Sequence, residues 1–263
     1  MDDLKPWRRD LVHGEATLVC PWPRRLAARH LRAAVITELA EHLPEDALAP
    51  WSQRRPDGSL LQSMPRVMYR SGAPPRVHVW GDEAPRLLKV LDQVCKLRAP
   101  DEMVAPVEAV KRRVWQSEIA HTKSRLHTYR LETPLFPCDA ANRRRASAQH
   151  AGPAGERWWA TNVIESAVRN LLAEAGVEDR LAFPIHVCDI DLRVERVRWE
   201  RPARGTRDER RGVAGTFMVN AAIPDGLAVG AKVSEGFGVL RRMRHVDVTD
   251  VDPGRRVRRR RAC

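Results

Sequence analysis

The sequence predicts an α+β fold: two tandem ferredoxin-like units, each βαββαβ, with an arginine-rich helical insertion in the second. Three observations predict it. The first half reads strand, helix, strand, strand, helix, strand. Much of that order recurs in the second half, although the two halves show no repeat at the level of residues. No apolar run is long enough to span a bilayer, so the hydrophobic residues, 43% of the chain, are available to a core.

Taken in order, "GEATLVCPWP" predicts a short strand over Ala16 to Cys20, stopped by Pro21 and Pro23. "RRLAARHLRAAVITELAEHL" is a helix. Leu26, Leu31, Val35, Ile36, Leu39 and Leu43 recur at helical spacing, and Pro44 ends it. "WSQRRPDGS" is a loop with a turn signal. "RVMYR" and "PRVHVW" are strands joined across "SGAPP", and "DEAPRLLKVLDQVCKL" is a second amphipathic helix with Asp82 and Glu83 in its first turn. "VEAVKRRVWQSEIAHT" fits a strand or a helix. In the second half "SRLHTYRLETPLF" is strand-like up to Pro134, and "GERWWATNVIESAVRNLLAEAGV" is a helix ended by Gly176. "FPIHVCDIDLRVERVRWE" alternates as one long strand, "GVAGTFMVNAAIP" gives another, and "RRMRHVDVTDV" the last. The expected units are residues 1–122, 123–252 and a basic tail, 253–263.

Charge narrows the function. Lys and Arg number 46 against 34 Asp and Glu, a net charge of +12, and arginine supplies most of it. Arginine forks match phosphate geometry, so the expected partner is a polyanion, nucleic acid above all. Cys20, Cys95, Cys138, Cys188 and Cys263 are scattered and odd in number. They indicate neither a disulfide framework nor a zinc site, and fit mostly buried, reduced thiols in a cytoplasm. No signal peptide, membrane association, cofactor or metal is expected.

Three segments can carry chemistry. The first is "VGAKVSEGFGVLRR", where Gly230, Gly236 and Gly238 allow close backbone approach to phosphate and supply N–H donors. Lys232, Arg241 and Arg242 add charge, and Phe237 can pack beneath the loop or stack on a base. The second is the N-terminal helix with its loop. His30 and His42 lie twelve residues apart on one side of the helix, about 18 Å from each other, so both cannot serve one phosphate. His42 is the acid/base candidate, while His30, between Arg29 and Arg32, is an RNA-holding candidate. The third is "CDAANRRRASAQHAGPAGERWW". Asp139 can cap a short helix bearing Arg143, Arg144 and Arg145, with Gly152, Pro153 and Gly155 as a flexible return. Of Trp158 and Trp159, adjacent on a helix, one packs inward. Lys111, Arg112 and Arg113 form a further basic stretch between the units. The six arginines between Arg255 and Arg261 form a non-specific polyanion-binding tail.

The run "GTFMVNAAIPDGLAVGAKVSEGFGVL" resembles the C-terminal signature of the CRISPR repeat-RNA endoribonucleases, the sixth family of CRISPR-associated (Cas) proteins, in the RAMP superfamily. Gly230, Gly236 and Gly238 sit at that family's glycine positions. "SLLQSMPRVMYRSGAPPRVHVWGDEAPRLLKVL" is similar to its N-terminal hairpin and helix, and "HTYRLETPLFP" to the strand opening its second domain.

The resemblance implies a metal-independent endoribonuclease. It would bind the hairpin of a CRISPR repeat transcript and cut at the hairpin base by 2′-hydroxyl attack, leaving a cyclic phosphate. It would keep the guide RNA, alongside other Cas proteins of an interference complex. The family's catalytic histidine in the loop after the first helix is missing here, where "APWSQRRPDGS" stands. An arginine cluster can instead align the nucleophile and stabilise the transition state. Arg24, Arg25 and Arg242 are the arginines expected to act, with His42. Arg54, Arg55, Arg112, Arg113, Arg143, Arg144, Arg145, Lys232, Gly236, Phe237, Gly238, Arg241 and His30 are expected to hold RNA. Arginine-based cutting also fits the type IV variant. The alternative is a non-catalytic subunit that binds the same hairpin.

Overall fold

The structure is a computed structural model in which residues 7–52, 66–100, 103–122, 125–137, 152–176, 184–201 and 206–243 are described. The first unit is β1 (Arg8–Val19), α1 (Ala28–Ala40), a short α2 (Ala49–Ser52), β2 (Val67–Arg70), β3 (Arg76–Trp80) and α3 (Ala84–Val90), then β4 (Lys96–Arg98), β5 (Val104–Pro106) and β6 (Ala109–His121). The second is β7 (His127–Leu135), α4 (Gly152–Glu174), β8 (Val187–Asp189), β9 (Arg193–Arg201), β10 (Thr206–Val219), β11 (Ala221–Ala222) and β12 (Leu240–Arg242).

Both sheets have the antiparallel order of a ferredoxin-like fold. The first runs β11-β6-β1-β3-β2 and the second β12-β7-β10-β8, with β9 extending β10 as a ribbon. The first sheet carries α1 and α3 on one side. Ala16 and Leu18 of β1, Tyr69 of β2 and Val77 and Val79 of β3 meet Leu31, Val35 and Leu39 of α1 there. Residues of opposite parity point away from the helices. At one end of that other face Leu11, Met68, Trp80 and Ile119 join the core of the second unit, built on Trp159, Val163, Ile164 and Val168 of α4. One core therefore runs through both halves. β11, from the second half, pairs with β6 of the first, Ala221 opposite His121. The Tyr129 hydroxyl fixes that crossing: it donates to the Ile223 carbonyl at 2.9 Å and accepts the Ile223 N–H at 2.6 Å.

Several expected elements change. β1 starts at Arg8 rather than Ala16, because the polar stretch before Ala16 pairs residue for residue with β6. Residues 109–121, open between helix and strand, are that strand. The second helix ends at Val90, followed by a single 3-10 turn to Gln93. Lys96 and Leu97, expected to be helical, form with Arg98 a hairpin on β5 instead. The long strand expected over 183–200 breaks after Asp189, where Asp189 Oδ1 accepts the Leu192 N–H at 2.7 Å and starts β9 afresh. Gly152, Pro153 and Gly155 form the first turn of α4, not a flexible return. Trp158 is 52% exposed and Trp159 1%. Of the described cysteines, Cys95 is exposed while Cys20 and Cys188 are half-buried, so none is a core thiol. Asp139, the Arg143 to Arg145 insertion, Arg54, Arg55, the last strand beyond Met243 and the arginine tail lie outside the described residues. No described helix is long and apolar enough to cross a membrane.

Candidate functional site

In the second unit the position of the second ferredoxin helix, between β10 and β12, is taken by the glycine segment. Its two ends close on each other, the Val229 N–H donating to the Gly238 carbonyl at 2.9 Å. They also close on the end of β7: Ala231 N–H donates to the Phe136 carbonyl at 2.9 Å and Gly238 N–H to the Pro134 carbonyl at 3.0 Å. Between them lies one 3-10 turn, Val233–Glu235, flanked by left-handed residues, Lys232 at φ 65° and Gly236 at φ 89°. Gly238 is left-handed at φ 71°, and a Cβ there would sit 1.9 Å from the Val229 carbonyl oxygen. Gly236 and Gly238 thus serve tight turns and close packing. Their N–H groups are taken within the fold, by the carbonyls of Val233 and Pro134, and do not form the expected phosphate cradle. Phe237 packs edge-on to Phe136, with ring centroids 4.9 Å apart.

This wedge docks on the first unit. A Cβ on Gly236 would meet the Ala28 Cβ at 2.8 Å and the Tyr69 carbonyl at 3.2 Å, so only glycine allows the loop to lie against the first turn of α1 and the edge of β2. Glu235 faces Lys232 Nζ at 2.6 Å and Arg32 Nη1 at 3.9 Å. Arg32 also donates to the Ser52 carbonyl, joining α1, α2 and the loop. Arg24 and Arg25 are exposed in the turn just before α1, not on the helix. His30 lies in the first turn of α1, where its Nδ1 accepts the Ala27 N–H at 3.2 Å. Its Nε2 faces the Arg29 Nε–H at 3.4 Å, and a neutral imidazole, with one acceptor nitrogen, satisfies only one of these two donors. The loop thus meets α1 along one seam, through Gly236 at Ala28 and through Glu235 at Arg32, with His30 in the same stretch of helix and Arg24 and Arg25 in the turn before it, while Phe237 and Gly238 face the second unit.

His42 is not with them. It lies beyond the C-terminal end of α1, exposed beside Glu38 and Glu41. Lys96 Nζ faces those two carboxylates at 4.0 and 3.4 Å. Arg241 and Arg242 point elsewhere too: Arg241 pairs with Glu132 at 3.0 Å, and Arg242 donates to Nδ1 of the buried His127 at 2.9 Å. Arg112 pairs with Asp92 at 2.8 Å and Arg113 with Glu15 at 3.1 Å, both on β6. The single cradle expected from sequence is therefore dispersed over the glycine seam, the far end of α1 and the open end of the helix-free sheet face.

That face holds what sequence reasoning missed. His13 and His78 are buried there, with Nδ1 of one 3.4 Å from Nε2 of the other. Burial pushes His13 down to about 4, and burial together with nearby Arg70 pushes His78 to about 3, so both are uncharged at neutral pH.

No protein-family model and no curated protein matches the chain. Solved structures do. A crystal structure of Cas6b is 16% identical, with a TM-score of 0.65 over 89% of this chain and 100% of that one. A crystal structure of the CRISPR RNA processing endoribonuclease Cas6b is 15% identical with a TM-score of 0.55, again over 89% and 100%. Csf5, a CRISPR-Cas type IV Cas6 crRNA endonuclease, is 14% identical with a TM-score of 0.56 over the same shares. The chain has the tandem ferredoxin-like fold of the Cas6 structures.

Proposed function

We propose that the chain is a CRISPR RNA endoribonuclease that cuts a repeat transcript at the glycine seam. The observation that carries this is the glycine wedge docked on the first turn of α1, the helix that bears His30 and follows Arg24 and Arg25, in a Cas6-like fold. In the proposed reaction the 2′-oxygen attacks the neighbouring phosphorus and loses its proton. The P–O5′ bond breaks, O5′ gains a proton, and a cyclic phosphate remains. Arg24 and Arg25 hold the phosphate and balance its growing charge, and His30 takes the 2′-hydroxyl proton and, as imidazolium, returns one to O5′. The scheme needs no metal. The protein is read as cytoplasmic, retaining the cut RNA and working beside other Cas proteins; the likeness to Csf5 favours a type IV setting.

The test is cleavage of the cognate repeat RNA in EDTA. A single cut is expected, abolished by a 2′-deoxy nucleotide at the scissile position; intact RNA rejects the enzyme. Arg24→Ala with Arg25→Ala should slow cutting about 10- to 100-fold. His30→Ala should cost more than His42→Ala, and the reverse order returns the acid role to the far end of α1. The missing histidine in "APWSQRRPDGS" favours a second reading, a subunit that binds the hairpin uncut. That reading gains if binding persists without product.

A further inference from the structure

The open end of the helix-free face has a composition that folding does not require. The strand register sets it out in rows. Lys111 of β6 lies opposite Thr17 of β1, Thr17 opposite Arg76 of β3, and Arg76 opposite Arg70 of β2. One step along, Arg113 is opposite Glu15 and Glu15 opposite His78. In the next row Trp115 is opposite His13. The Trp115 ring lies nearly parallel to both imidazoles: 13° from His13 with centroids 5.7 Å apart, and 21° from His78 at 5.6 Å. The Arg113 guanidinium carbon is 5.0 Å from the Trp115 centroid. Buried Glu15 takes Arg113 at 3.1 Å and faces Arg76 at 3.7 Å. His13 Nε2 is buried with no hydrogen-bond partner among the described residues, which carries a cost that an apolar side chain would avoid.

Two spaces meet at this cluster. A cavity of about 250 Å³ has Trp115, His78, Arg70, Glu132, Asp225 and Arg241 in its walls. A groove of about 510 Å³ beside it shares Glu15, Arg76 and Arg113 and adds Lys111 and Arg112. The cavity carries carboxylates that accept from base N–H and ribose hydroxyl groups. The groove carries four cations against Glu15 as its one wall carboxylate among the described residues, a phosphate environment. Trp115, in the cavity wall, is a partly exposed ring with two imidazoles stacked against it and the Arg113 guanidinium over it, a surface on which a base can stack once that guanidinium turns to a phosphate.

We propose that this face binds one nucleotide unit, its base on Trp115 and its phosphate on Arg76, Arg113 and Lys111. The site lies on the opposite side of the first sheet from α1, and it does not depend on the chain being a nuclease. The unit can come from a free nucleoside monophosphate or from a single-stranded RNA segment.

The test uses the full chain with two probes: AMP, and a short unpaired RNA bearing one 4-thiouridine. Ultraviolet crosslinking should attach the RNA to the peptide holding Trp115. Trp115→Ala should weaken binding of whichever probe binds about tenfold or more, while Trp115→Phe, which keeps a ring, stays within about threefold. Arg76→Ala with Arg113→Ala should weaken it comparably and replaces Trp115→Ala if that variant does not fold. AMP that binds and competes with the RNA identifies a free nucleotide as sufficient; RNA that binds while AMP does not identifies the strand. Crosslinks elsewhere, no binding of either probe, or equal affinity in a folded Trp115→Ala variant overturns the proposal. The readout is binding, so it survives or fails separately from RNA cutting.

Discussion

The two sides of the β2 edge are built by opposite means. On the α1 side, Tyr69 offers its backbone carbonyl to a glycine wedge whose shape comes from left-handed turns. Arg24 and Arg25 stand exposed in the turn that leads into α1. On the other side, Arg70, one residue on, donates to the Gly226 carbonyl, and the surface is a paired sheet with every row set by register. The first region depends on backbone conformation and the second on side chains stacked across strands. Perturbations of the two should therefore read out differently.

The largest effect is expected at Gly238. Alanine there would hold a Cβ 1.9 Å from a backbone oxygen that cannot move aside cheaply, at a φ of 71° that side chains disfavour. The variant should lose about 2–4 kcal/mol of stability, measured by denaturant unfolding, and at least about 100-fold in RNA cutting. Gly72 is the control: the nearest atom to its added Cβ is the Pro74 carbonyl oxygen at 3.5 Å, ordinary contact, so Gly72→Ala should change stability by less than about 0.5 kcal/mol. Equal losses at the two glycines would mean that the wedge is not held by backbone shape.

The sheet face should answer to pH instead. His13 and His78 titrate well below the ordinary histidine range in the fold, while in the unfolded chain they take protons near 6.5. Stability from the pair is therefore complete above about pH 6.5 and falls as the pH drops toward 4, because the unfolded chain then binds protons the native one refuses. The loss should reach a few kcal/mol by about pH 4. Replacing both histidines by glutamine should flatten this fall, followed by denaturant midpoints at about pH 7 and about pH 4.5. An unchanged slope would show that other groups control acid unfolding. Charged neighbours set the background: Arg70, Arg76, Arg113 and Glu15 all face the pair from adjacent strands.

These regions were unequally legible in the sequence. Gly230, Gly236 and Gly238 announce tight turns by residue type alone, since few other residues adopt a positive φ. What Gly236 packs against, Ala28 and Tyr69, lies more than 150 residues away and is fixed only by docking of the two units. The stacked cluster is subtler. Lys111, Arg113 and Trp115 share a face only if 109–121 is a strand; on a helix Lys111 and Trp115 would stay together and Arg113 would turn away. "RVHVW" hides His78 in an apolar run, and pairing it with His13 needs the register of β1 against β3. The spacing in "KRRVW" was the available signal, and the ambiguity between helix and strand erased it. Arg241 and Arg242 read as part of the glycine loop by adjacency, but alternation along β12 sends one to Glu132 and the other to His127.

The smallest effect belongs to the contact that ties the wedge to α1. Arg32 and Glu235 lie 3.9 Å apart with side chains 20% and 16% exposed. This is neither a free surface pair nor a dry buried one. Arg32 also donates to the Ser52 carbonyl, and Glu235 keeps Lys232 at 2.6 Å if Arg32 is removed. Arg32→Ala therefore leaves no stranded carboxylate and should cost about 1 kcal/mol in denaturant unfolding. Its effect on function should be larger than on stability, because the wedge then loses the ion pair that ties it to α1: repeat-RNA cutting should slow about 3- to 10-fold with the far-side nucleotide probe unaffected. Loss of both readouts together would show that the two sides of the β2 edge form one site rather than two.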